Sequence, residues 1–192
     1  MTRTARLVLV RHAKTEKSDS GGDHERGLLP RGRGDAEAAG TWLAGRAVLV
    51  PDLVLCSSAV RARQTWEVMA AHPDLADVEV WVDGRIYHAS PEQLLDVVRE
   101  APESTRVLAL VGHAPGVPDL AEGLADPEAS APAALDAIHQ GFPTMACAIL
   151  EPAADWSDLE PGSAALLQVA TPRADGGGPD ELDPLSRATG EG

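Results

Sequence analysis

Apolar residues concentrate in six short runs: residues 6–10 (RLVLV), 52–56 (DLVLC), 78–82 (VEVWV), 107–111 (VLALV), 146–150 (ACAIL) and 165–170 (ALLQVA). Runs this short, rich in Val and Leu, predict β-strands. Longer stretches of helical character lie between them, at residues 30–46, 59–72 and 90–101. Alternating strands and helices are the signature of βαβ units, so the pattern predicts an α/β domain on a mainly parallel sheet. The first, second and fourth runs are apolar without alternation, as expected of central strands covered on both faces. The 90–101 stretch carries its own start signal: Ser90 as N-cap, Pro91 at the first helical position and Gln93 to close a capping box. A weaker helix is expected after Gly116, and residues 126–140 read as either an irregular excursion or a further short helix.

From Pro172 onward the chain reads PRADGGGPDELDPLSRATGEG. Glycine, proline and acid bury too little apolar surface to offset ordering entropy. The expected organisation is one domain over residues 1–171 and an acidic, flexible tail over 172–192.

Composition narrows the partners. The chain has 192 residues, 44% of them hydrophobic and only 3% aromatic, with a net charge of −14. Nucleic acid and anionic membrane both require a basic face, so neither is expected as a partner. No apolar run reaches the length of a signal h-region or a membrane span, and the expectation is a cytoplasmic protein, read as a monomer. Cys56 and Cys147 sit inside apolar segments without metal-binding spacing and read as reduced core thiols. No metal or cofactor is called for.

In an open α/β sheet, ligands bind beyond the carboxyl ends of the strands. The first strand ends in Arg11-His12, the second in Ser57-Ser58 with Arg61 one turn later, and the fourth in Gly112-His113. Two guanidiniums there offer bidentate donors to a phosphoryl group. A neutral imidazole beside them can attack phosphorus, and the surrounding positive charge is expected to lower its pKa. The second histidine can donate to a phosphoryl oxygen. Less specific residues have plainer readings. Arg63 is a solvated neighbour, and Ser57 and Ser58 are turn and cap residues, with Ser58 also placed to cradle phosphate at a helix N-terminus. His24 and His88 either line the mouth of the site or are ordinary loop histidines. Tyr87 is expected to pack its loop, and His72 and His139 have no partner pattern.

The motifs LVRHA, SSAVRARQT and VGHAPG, each behind a strand, resemble the histidine phosphatase superfamily, with its phosphoglycerate-mutase-like fold. RHA in place of the commoner RHG, together with RGLLPRG and YHASPEQLLDVVR, is most similar to the SixA-type phosphohistidine phosphatases. The resemblance covers about residues 7–170. It implies a three-layer α/β/α sandwich whose mainly parallel sheet has an antiparallel edge. It also implies His12 as phosphoryl acceptor and a phosphate pocket of Arg11, Arg61 and His113. Arg26, in HERGLLPRG, matches an arginine near the pocket in SixA-type members, although Gly27 replaces their usual proline.

Relatives acting on phosphate esters usually carry a glutamate after the third strand to protonate the leaving alkoxide. This chain has none until Glu92, and Asp83 is the only nearby acid. A missing acid favours a phosphoramidate or another activated substrate, and the resemblance to SixA-type members implies a phosphorylated protein histidine. Small phosphate esters or anhydrides are the alternative, a phosphoglycerate-type mutase or a silent phosphate-binding protein less so.

Overall fold

Residues 5–17 and 22–176 are described by the structure, a computed structural model. Six strands form one sheet: β1 (Arg6–Arg11), β2 (Leu53–Ser57), β3 (Glu79–Asp83), β4 (Val107–Gly112), β5 (Cys147–Pro152) and β6 (Ala164–Ala170). Their spatial order is β3-β2-β4-β1-β5-β6. β1 pairs parallel with β4, and β2 parallel with both β3 and β4. β5 and β6 run antiparallel, giving the mixed sheet with an antiparallel edge that the resemblance implied.

Side chains alternate across a strand, and this sorts the core into two layers. Leu7, Leu9, Leu53, Leu55, Leu108 and Leu110 share one face with α3 (Pro91–Arg99), α4 (Gly116–Leu124) and α5 (Pro132–Gln140). Val8, Val10, Val54, Cys56, Ala109 and Val111 face the opposite layer, built from α1 (Pro30–Ala44) and α2 (Val60–Met69). Both cysteines are buried, free and raised to about 12 by burial, so they behave as core thiols.

The uncertain stretch after Asp126 contains α5, started by Pro132 at its first turn. The predicted start of α3 is present: Gln93 N–H donates to Ser90 Oγ at 3.3 Å and Ser90 N–H to Gln93 Oε1 at 2.9 Å. β3 differs from the other strands, since Glu79, Val80, Trp81 and Val82 are all exposed at the sheet edge.

The packed body passes the expected boundary at residue 171. Buried Asp35 on α1 accepts from Arg173 Nη1 at 2.9 Å and from Ala174 N–H at 3.3 Å. The rest of the expected tail, residues 177–192, lies outside the described residues.

Candidate active site

Register brings the chemistry together. Arg11 lies opposite Gly112 in the parallel β1–β4 pair, and His12 N–H donates to Gly112 O at 3.0 Å, so His12 and His113 leave adjacent strands at one rim. Their rings stand 5.1 Å apart, centroid to centroid. β2 flanks β4 on the other side, with Cys56 opposite Val111. That places Ser57 beside His113 and starts α2 at the same rim, where Arg61 is buried in its first turn. The loop after His12 is held by α1: a side chain at Gly32 would collide with the Lys14 carbonyl, and Leu29 N–H donates to that same oxygen at 3.0 Å.

His12 is buried and its Nδ1 lies 2.8 Å from Ala13 O. A carbonyl only accepts, so Nδ1 carries the proton and Nε2 keeps its lone pair. Burial, more than the charges of Arg61, Arg11 and Arg26, lowers His12 to about 4. The expected positive charge contributes, and burial, which the sequence did not disclose, is the larger cause. The neutral ring is the resting form near neutral pH.

His113 is also buried, and burial, His12 and Arg61 lower it to about 3. Its Nε2 is 2.7 Å from Ser57 Oγ, while Nδ1 is buried without a partner among the described residues. Arg11 donates from Nη1 to Phe142 O at 2.7 Å, and its buried Nε also lacks a partner among them. Buried donors without partners are rare and call for a ligand or water. These two flank His12 in sequence or space.

Arg61 donates from Nη1 to Asp23 O at 2.6 Å and from Nη2 to Asp23 Oδ2 at 2.9 Å. Arg26 donates to Asp23 Oδ1 at 2.7 Å, Thr15 Oγ1 at 2.6 Å and Glu16 O at 2.8 Å, so it fastens the 23–26 turn to the loop behind His12. Asp23 and Tyr87 are the site residues that sequence reasoning missed. Tyr87 was expected to pack its loop. Instead its hydroxyl donates to Asp23 Oδ2 at 2.8 Å, its ring meets His113 edge-on at 5.5 Å, and Arg61 lies over its face at 5.6 Å. The available signals were faint: Asp23 stands three residues before Arg26, and Tyr87 is the sole tyrosine.

His24 and His88 both stand at the mouth, edge-on to Tyr87 at 4.8 Å and 4.1 Å. His88 takes a left-handed backbone with φ of 56° and is stacked over His113 at 6.4 Å. Ser58 was read as a cap, but Ala59 occupies the cap position of α2 and Ser58 Oγ instead meets His24 Nε2 at 3.0 Å. Arg63 is exposed, as expected. Asp83 is engaged by Arg85, whose Nε and Nη2 reach Asp83 Oδ2 at 2.9 Å and 2.6 Å. Arg85 thereby lowers the Asp83 pKa, which works against a role as proton donor. Among the described residues no group of three or more His, Cys, Asp or Glu side chains is arranged to hold a metal ion. No helix among them is long and apolar enough to cross a membrane.

These contacts bring two guanidiniums and a second imidazole to the same rim as an uncharged, pre-oriented imidazole, an arrangement whose chemistry fits phosphoryl transfer to histidine. The family model of the histidine phosphatase superfamily (branch 1) matches residues 7–86. An uncharacterised Mycobacterium tuberculosis protein, Rv1276c, is 38% identical over 164 residues, which span 85% of this chain and 100% of that protein. A Nakamurella multipartitia chain solved as a candidate phosphohistidine phosphatase SixA superposes with a TM-score of 0.77 at 30% identity, covering 88% of this chain and 96% of that one. The corresponding Agrobacterium tumefaciens structure gives 0.71 at 26% identity, covering 88% and 99%. The chain belongs to the histidine phosphatase superfamily, and it is a SixA-like member. It is a hydrolytic phosphatase.

Proposed function

We propose that the protein hydrolyses phosphohistidine on a protein substrate, with His12 as nucleophile. The observation that carries the mechanism is the His12 Nδ1 contact to Ala13 O, which leaves Nε2 as the attacking atom. The Nε2 lone pair attacks phosphorus while the P–N bond of the substrate breaks and its electron pair stays on the departing imidazole. A water oxygen then attacks the phosphohistidine on His12, a proton leaves the water, and the P–Nε2 electron pair returns to the ring. Arg11 and Arg61 balance charge on the equatorial oxygens, and His113 donates to one of them through Nδ1. Arg26 acts at one remove, by fixing the turn that bears Asp23.

Two observations support phosphohistidine over an ester. The carboxylate after β3 is tied up by Arg85, and a leaving imidazole needs less acid assistance than an alkoxide. The neighbours of Nakamurella and Agrobacterium, both solved as candidate phosphohistidine phosphatases, support the same reading. The test is turnover of a phosphohistidine peptide against p-nitrophenyl phosphate in EDTA. A kcat/KM higher for the peptide supports the reading, and a clear preference for the ester transfers the substrate to the small phosphate esters.

A further inference from the structure

Asp23 is an oddity in a pocket built for an anion. Its carboxylate lies against Arg26, Arg61 and Tyr87, and His88 Nε2 comes within 3.4 Å of Oδ2. Arg26 first, then Tyr87 and Arg61, hold it well below the usual carboxylate range, so it is charged throughout the working pH range. A fixed negative charge beside a phosphoryl dianion opposes binding. The contribution that offsets this must come from a cation elsewhere in the substrate.

The geometry indicates where. The Tyr87 and His88 rings stand 5.5 Å and 6.4 Å from the His113 ring, and Asp23 Oδ2 meets the Tyr87 hydroxyl at 2.8 Å and His88 Nε2 at 3.4 Å. Asp23, Tyr87 and His88 thus form the wall of the mouth next to His113. The Asp23 side chain is 39% exposed, open to a group entering from outside. A leaving group departs in line with the attacking nitrogen and on the far side of phosphorus from it, so away from buried His12, and the Asp23 and His88 side chains are the exposed ones here. The other ring nitrogen of an N-phosphorylated imidazole carries a proton only in the imidazolium form, and that N–H is a cationic donor.

We propose that Asp23 is a specificity-determining residue that accepts a hydrogen bond from the free N–H of the substrate's phosphoimidazolium, holding the leaving group in its protonated form. The inference rests on the phosphohistidine reading above. With the proton already on the distal nitrogen, the P–N electron pair neutralises the ring as the bond breaks and a neutral imidazole departs. No proton moves during cleavage, which accounts for a site whose acid after β3 is committed to Arg85. Phosphate esters have no such cation, and for them the Asp23 charge gains no bond to the leaving group. Tyr87 and Arg26 hold the carboxylate in place, and Arg61, Arg26, His88 and Tyr87 are the titratable or charged groups that face it among the described residues.

Asp23→Asn tests this: the charge is lost, while an amide oxygen in the place of Oδ2 still accepts from Tyr87 and Arg61, and Arg26 keeps its bonds to Glu16 and Thr15. The measured quantity is the ratio of kcat/KM for a phosphohistidine peptide to that for p-nitrophenyl phosphate, followed from pH 5.5 to 8.5. The ratio is expected to fall at least tenfold at pH 8. The loss should shrink toward pH 5.5, where the substrate imidazole is protonated without help. A uniform loss on both substrates at every pH, or an unchanged ratio, overturns the proposal. If the wild type itself shows no preference for phosphohistidine, the substrate reading has failed. If the wild type shows the preference and Asp23→Asn keeps it, the failure belongs to Asp23 alone.

Discussion

Ser57→Ala isolates the hydroxyl that sets the tautomer of His113. Ser57 is fully buried, and its Oγ lies 2.7 Å from His113 Nε2. Ala59 N–H donates to the same oxygen at 3.4 Å, so the hydroxyl proton is free to point at Nε2. Ser57 then donates, Nε2 accepts, and the ring proton is kept on Nδ1, the nitrogen without a protein partner. Removing the hydroxyl leaves Nε2 buried and unpaired, at a cost of about 1–3 kcal/mol. Moving the proton to Nε2 cannot recover the bond, but it removes the donor facing the phosphoryl oxygens. A tautomer bias weakened by about 1–2 kcal/mol corresponds to a roughly five- to thirtyfold fall in kcat. The assays are kcat on p-nitrophenyl phosphate in EDTA, urea denaturation for stability, and ¹⁵N shifts of the His113 ring for the tautomer. Full kcat, together with an unchanged Nδ1–H ring in the variant, refutes the reasoning.

Other outcomes rest on the same contacts. His12 and His113, lowered to about 4 and about 3, refuse protons that the unfolded chain accepts below its ordinary histidine range. Stability is therefore complete above about pH 6.5 and falls as pH drops toward 4, by roughly 3 kcal/mol for His12 alone. Urea midpoints measured between pH 7 and 5 should show this slope, and His113→Gln should flatten it; an unaltered slope contradicts the assignment. Asp35→Ala breaks the pair with Arg173, whose side chain is 16% exposed. Loss of a buried partner can cost about 3–5 kcal/mol, but Arg173 lies near the end of the described chain and can turn into water, so about 1–2 kcal/mol is expected. Trypsin should then cut faster after Arg173, and an unchanged cleavage rate would count against the tether.

How far the sequence could be read depended on where each residue lies. Strand ends were legible because an apolar run fixes a strand, and the rim of a parallel sheet collects the residues directly after each run. Arg11, His12, Arg61 and His113 were singled out on that basis, and register brings the two histidines together from adjacent strands. The loop residues were not legible. Asp23 meets Tyr87 across 64 residues, with no periodicity to announce the contact. Ser57 and Ser58 look alike in sequence, but they meet different partners, His113 and His24, because Ser57 is the last residue of β2 and Ser58 begins the bend that follows it. The cause of the lowered His12 pKa escaped for a related reason: charges can be counted in a sequence, whereas depth of burial emerges only when α1, α2 and the sheet close around the ring.

The claim on which the account depends is that phosphorus is transferred to His12. Incubating the protein with a ³²P-labelled phosphoryl donor, quenching, and mapping the label by peptide digestion tests it. The account predicts one acid-labile, alkali-stable phosphoryl group on His12 that disappears in His12→Ala. A label that survives that substitution, or one that maps to another side chain, contradicts it.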